Sequence, residues 1–253
     1  PPPKCAPRQT LRRLIQHRQL GGTPLPSFDL TSDVLVLAGL LAVAAGLRVA
    51  FARHAANTRV DHYYWLLAAR FWRVTRGFSV RIPGKYLLED DTQAYPPAFG
   101  FLLGRLPEAV LRRWPLALPL AADLLTLAAL GALLVFFEAG AGALVGTAAA
   151  FAVAPALFTY NTQINPRAFG QLFLSALVIL EVAAAGAQPG WSVAVLSFGA
   201  VAMAAMVVLT HKMSTQLMIV LWPLLAVVLG SVPAAVIPPL GVLAAAAVTG
   251  PRF

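Results

Sequence analysis

Four short polar segments carry most of the groups able to do chemistry in this 253-residue chain. The first, Val60-Asp61-His62-Tyr63-Tyr64-Trp65, opens a stretch that runs to Arg76. Asp61 is its one acid and a group in it suited to acid–base chemistry. A carboxylate at a helix start serves equally as a cap or a partner for the helix dipole. The second segment, Glu89-Asp90-Asp91 followed by Thr92-Gln93-Ala94-Tyr95-Pro96-Pro97, offers three acids as oxygen ligands for a divalent cation. Their spacing matches no defined metal loop, and a solvated acidic turn explains them as well. Tyr95-Pro96-Pro97 reads as a rigid elbow into an apolar helix at about 98–112.

The third segment is Asn161-Thr162-Gln163-Ile164-Asn165-Pro166-Arg167, between two apolar runs. Its amides, Asn165 among them, suit a sugar or a phosphate, and the Arg167 fork suits phosphate. An ordinary polar turn with a snorkelling Arg is the competing explanation. The fourth, Thr210-His211-Lys212-Met213-Ser214, sets a His-Lys pair at the end of an apolar run, where Lys often only anchors. Two further acids, Asp123 and Glu181, lie inside apolar runs and are costly there unless paired. Arg48 is a candidate partner for one of them. Zinc spacing, a Walker loop and a nucleophile elbow are missing, and a lone Cys5 makes no internal disulfide. Gly140, Gly142 and Gly146 sit in an apolar run with no strand before them, so they suggest close helix packing rather than phosphate binding.

The solvent of these segments follows from composition. The hydrophobic fraction is 59%, mean hydropathy is +0.75, and only 11% of residues are charged. Residues 115–253 hold six charges, too few to solvate a water-soluble surface. The expected fold is therefore all-α and integral to a membrane, with about seven transmembrane helices. A basic N-terminal segment, 1–32, carries a short surface helix at about 9–20. It precedes a polytopic membrane domain, 33–253, with spans near 33–51, 115–137, 141–160, 167–186, 191–210, 214–230 and 232–250. The last two could instead form one re-entrant hairpin, because Pro233, Pro238 and Pro239 interrupt them.

The loop 53–114 holds fifteen charges and is expected to contain interfacial amphipathic helices. In the first of these, Tyr63, Tyr64, Leu67, Phe71 and Val74 share the apolar side. Asp61, Arg70, Arg73 and Arg76 take the polar side, and Trp65 and Trp72 suit head-group depth. The net charge of +9 reads as attraction to anionic lipid beside the spans, not to nucleic acid. Five basic residues before the first span favour a cytoplasmic N-terminus. Seven spans then place the 53–114 loop, the Asn161–Arg167 turn and the His211-Lys212 turn on one face.

The order of features resembles the integral-membrane GT-C glycosyltransferases, which include protein O-mannosyltransferases and aminoarabinose transferases. The resemblance rests on a first span ending in Leu47-Arg48, then Asp61-His62-Tyr63-Tyr64-Trp65, Ala68-Ala69-Arg70, Gly77, Gly84 and Tyr95-Pro96-Pro97. It covers about residues 33–112. The Trp-Trp-Asp signature of oligosaccharyltransferases is missing, which points away from that branch. Seven spans is near the size of the superfamily's N-terminal membrane module, so the chain is expected to be a truncated or minimal member.

The resemblance implies a sugar donor carried on polyprenyl phosphate, an acceptor hydroxyl on a glycan, lipid or protein, and inversion at the anomeric carbon. It implies that Asp61 is the catalytic base. Arg167, His211, Lys212 and Arg70 are the candidates for the donor phosphate, and His62, Tyr64, Tyr95 and Asn165 for the substrate. The expected setting is a plasma membrane, if the source is prokaryotic, with the active site on the external face. No cofactor is implied, and use of a divalent metal at Glu89, Asp90 and Asp91 stays open. A transporter or lipid flippase with a midplane site at Asp123 and Glu181 is one alternative, and a non-catalytic membrane subunit is another.

Overall fold

The computed structural model describes residues 30–54, 60–86, 92–136, 140–154, 163–187 and 189–250. Residues 1–29 of the basic N-terminal segment, with its expected surface helix, lie outside the described residues, and the helix of the first span begins earlier than expected, at Leu30. Ten α-helices appear among the described residues: α1 Leu30–His54, α2 Val60–Thr75, α3 Pro97–Arg105, α4 Glu108–Arg113, α5 Ala117–Phe136, α6 Gly140–Val153, α7 Arg167–Gly186, α8 Trp191–Thr210, α9 Lys212–Leu229 and α10 Val232–Thr249. A two-residue antiparallel ladder, β1 (Arg81–Ile82) with β2 (Gln93–Ala94), pairs Arg81 with Ala94 and Ile82 with Gln93.

Six helices, α1, α5 and α7 to α10, are long and apolar enough to cross a membrane. Of the expected third span at 141–160, α6 covers the part to Val153, and residues 155–160 lie outside the described residues. The last two expected spans are two helices, each long and apolar enough to cross a membrane. Gly230 takes a left-handed conformation (φ 55°) to end α9, and Pro233 sits in the first turn of α10, where a missing N–H costs no helical bond. The helix expected at 98–112 divides into α3 and α4, because Pro107 lacks the N–H needed to continue it.

Helices α1, α5 and α6 pack together, and α5 joins them to a second group in which α7, α8, α9 and α10 pack closely. Small residues set the spacing. A Cβ on Gly241 of α10 would collide with Ala204 of α8, so these helices meet almost backbone to backbone. Within the first group, Arg48 of α1 donates its Nε to Asp123 of α5, and both side chains are fully buried. The same guanidinium reaches the Phe151 carbonyl of α6 at 3.0 Å and lies 5.3 Å from the Phe151 ring centroid. This ionic knot fastens three apolar helices where an unpaired charge would be prohibitive.

The interfacial helix α2 occurs where expected but buries a different stripe. Trp65, Ala68, Ala69 and Trp72, at helical spacing, face the protein and are almost inaccessible, whereas Tyr63 and Val74 are 70% exposed. Trp65 and Trp72 are thus core residues rather than head-group anchors. The partner helix explains the choice. A Cβ on Gly100 of α3 would strike the Trp72 ring, and one on Gly104 would come within 2.8 Å of Trp72 Cβ. Trp72 fills the groove these glycines leave, and its indole N–H donates to the Ser79 carbonyl at 3.1 Å.

Candidate functional site

A cavity of about 370 Å³ is lined by Asp61, Tyr64, Trp65, Gln93, Tyr95, Asn165, Pro166, Arg167, His211 and Met213. It unites groups more than a hundred residues apart, and each arrives for a local reason. Asp61 lies in the first turn of α2. Tyr95 follows β2, held by its N–H donating to the Val80 carbonyl at 2.9 Å, and Pro96-Pro97 then start α3. Arg167 opens α7 after Pro166, with its backbone N–H satisfied by Asn165 Oδ1 at 2.9 Å. His211 is the extended residue between α8 and α9 and caps α9. The N-terminal ends of α2, α7 and α9 therefore meet at this cavity, and their dipoles favour an anion there.

Asp61 is half-buried and accepts a hydrogen bond on Oδ2 from Gln163 Nε2 at 3.2 Å. Burial pushes the Tyr95 phenol up to about 12, with Tyr64 and Asp61 adding to the effect and Arg167 opposing it. Tyr95 is consequently a neutral hydroxyl. Its ring stands edge-on to Trp65 at 4.8 Å, and Trp65 in turn packs against Phe99 at 5.0 Å.

His211 has a defined protonation state. Burial first, and the Arg167 charge second, hold its imidazole down at about 4, so it is neutral near pH 7. The Ser214 backbone N–H donates to its Nδ1 at 3.3 Å, and the Ser214 hydroxyl lies 2.9 Å from the same atom. A backbone N–H can only donate, so Nδ1 is an acceptor and the ring proton resides on Nε2. His211 offers the cavity a neutral donor rather than the cation expected from the sequence. Gly170 makes this seat possible: a Cβ there would come within 2.8 Å of His211 Cβ and would also collide with Ser214.

The remaining expected residues lie elsewhere. Arg70 is turned to Glu108 at 3.2 Å and does not line the cavity. His62 is buried beside Tyr63, with ring centroids 5.3 Å apart, and does not line it either. Lys212 donates to the Ala94 carbonyl at 3.1 Å and lies over the Tyr95 ring. It belongs to an adjoining, mainly apolar pocket of about 310 Å³ with Val80, Pro96 and Val208, which shares Tyr95 with the first. Glu89, Asp90 and Asp91 lie outside the described residues, and among the described ones no three His, Cys, Asp or Glu side chains gather as a metal site.

The sequence offers Gln163 only as one of the amides of its turn, not as a partner of Asp61, and Gln93 is not among the expected site residues. Both carried a usable signal. Gln163 belongs to the same polar turn as Asn165, and Gln93 stands two residues before Tyr95, the spacing that shares a face in extended chain.

Fold and composition together define an all-α integral membrane protein, with a polar cavity at the N-terminal ends of α2, α7 and α9. No family model, curated protein or solved structure matches the chain.

Proposed function

We propose that the chain is an inverting membrane glycosyltransferase of the GT-C type, moving a sugar from a polyprenyl-phosphate carrier to an acceptor hydroxyl. The observation that carries this reading is the meeting of Asp61, Arg167 and His211 in one cavity edged by three helix N-termini. Asp61 receives the acceptor's proton as that oxygen attacks the anomeric carbon. The lipid phosphate leaves from the opposite side of the sugar with the bonding electron pair. Arg167, the His211 Nε2–H and the α7 and α9 termini stabilise the charge it gathers. Tyr64, Tyr95 and Asn165 supply hydroxyl and amide groups for the sugar. Lys212 and its apolar pocket suit the first part of the carrier chain beyond the phosphate. The reading places the cavity at the external face of the membrane.

The transporter alternative draws less support, because Asp123 is tied to Arg48 and thereby removed from a midplane substrate site. The test is transfer from radiolabelled polyprenyl-phosphate sugars in proteoliposomes, with Asp61→Asn as the variant. Loss of about 10²–10⁴-fold in rate with donor binding retained is the expected result. Normal transfer by a folded Asp61→Asn protein would refute the assignment.

A further inference from the structure

Away from the cavity, the segment from α2 to α4 carries six arginines, Arg70, Arg73, Arg76, Arg105, Arg112 and Arg113, all exposed except the half-buried Arg73. Glu108 organises three of them, accepting from Arg112 at 2.7 Å, Arg73 at 3.1 Å and Arg70 at 3.2 Å. Arg105 joins the group by donating to the Arg76 carbonyl at 3.2 Å. Among the described residues, Glu108 is the one acid bonded to any of the six. One carboxylate cannot neutralise this group, and Arg70 and Arg112 keep about half of their side-chain surface open, at 48% and 60%.

Two observations give the depth of the cluster. Trp114, directly after Arg113, is 61% exposed, and α5 begins three residues later as a membrane span. Val110 and Val74, on the same elements, are 45% and 70% exposed. Exposed aromatic and aliphatic side chains beside a row of guanidiniums, just before a span starts, define head-group level. Planar guanidinium forks there match phosphate oxygens.

We infer that the α2–α4 surface is a binding site for anionic phospholipid head groups, holding lipid phosphate between Arg70, Arg112 and Arg113 while Trp114 and Val110 enter the acyl region. This site is distinct from the Asp61 cavity and does not depend on what that cavity does.

The test uses the whole chain reconstituted in nanodiscs of mixed phosphatidylcholine and phosphatidylglycerol, with retained lipid counted by native mass spectrometry after transfer to detergent. Wild type should retain phosphatidylglycerol in preference to phosphatidylcholine. The triple variant Arg70→Gln, Arg112→Gln, Arg113→Gln should lose that preference by about tenfold or more, since it removes three positive charges that attract an anionic head group. The triple Lys variant, which keeps the charge, should retain most of the preference, and this guards against a loss caused by misfolding. Equal retention in wild type and the Gln variant would overturn the proposal. So would displacement of phosphatidylglycerol by inorganic phosphate alone, which would make the cluster a free-anion site.

Discussion

Gln163 Nε2 lies 3.2 Å from Asp61 Oδ2, joining the turn before α7 to the first turn of α2 across 102 residues of chain. An amide N–H donates a hydrogen bond to one carboxylate oxygen without protonating it, so it orients the carboxylate while leaving Oδ1 for another partner. Under the proposed function, Gln163 is a positioning residue for the base. Gln163→Leu should slow transfer by about 10–100-fold, the worth of one hydrogen bond to a charged group, with donor affinity nearly unchanged. Rate and donor KM measured in proteoliposomes would separate that outcome from general damage, which would weaken binding too.

His211 gives a pH prediction whose sign is settled by its burial. The ordinary imidazole value is 6.5, and the folded chain lowers it to about 4. Between these values the unfolded chain binds more protons than the folded one, so stability rises with pH across the window. The contribution is complete above about pH 6.5 and disappears as pH falls through about 4. His211→Asn keeps a side-chain acceptor for the Ser214 N–H but cannot titrate. Its melting temperature in detergent should fall less steeply between pH 6.5 and 4 than that of wild type, and parallel curves would contradict this account.

Most spans were legible because apolar runs of about 20 residues have conspicuous polar or Gly/Pro breaks. The expected runs at 167–186 and 191–210 coincide with α7 and α8, and the later two differ by a residue or two. The expectation that Asp61, Arg167 and His211 share a face rested on counting seven spans; among the described residues six helices are long enough to cross, and it is the cavity lining that brings the three together. What stayed hidden depended on shape and on partners distant in sequence. The buried stripe of α2 is chosen by the Gly100 and Gly104 groove, which hydropathy does not record. The choice of Arg48 for Asp123 over Glu181 depends on how α1 packs against α5, and no spacing rule reaches across 75 residues. The neutral state of His211 needed its burial and the Ser214 N–H, both tertiary facts.

Gly170 should be among the least tolerant positions near the cavity. A methyl group there would meet His211 Cβ at 2.8 Å and Ser214 Cβ at 3.0 Å, atoms held by the turn between two packed helices. Gly170→Ala favours the helix locally, by up to about 1 kcal/mol, yet forces α9 away from α7 at a cost of roughly 1–3 kcal/mol. A lower melting temperature in detergent is the expected net result. An equal or higher one would show that the α8–α9 turn yields freely.

The Arg48–Asp123 pair makes the strongest stability prediction. Arg48→Ala leaves a carboxylate buried among α1, α5 and α6 without its counter-charge, and removing one partner of a buried pair costs about 3–5 kcal/mol. The double variant Arg48→Met, Asp123→Leu removes both charges and keeps apolar volume, so it should recover most of that loss. Its recovery will be incomplete, because Met cannot replace the donation to the Phe151 carbonyl at 3.0 Å that ties in α6. Thermal unfolding of Arg48→Met, of Asp123→Leu and of the double variant forms a cycle whose coupling measures the pair. A double variant no more stable than Arg48→Ala would mean that the pair's charges contribute little, and that packing alone holds α1 to α5.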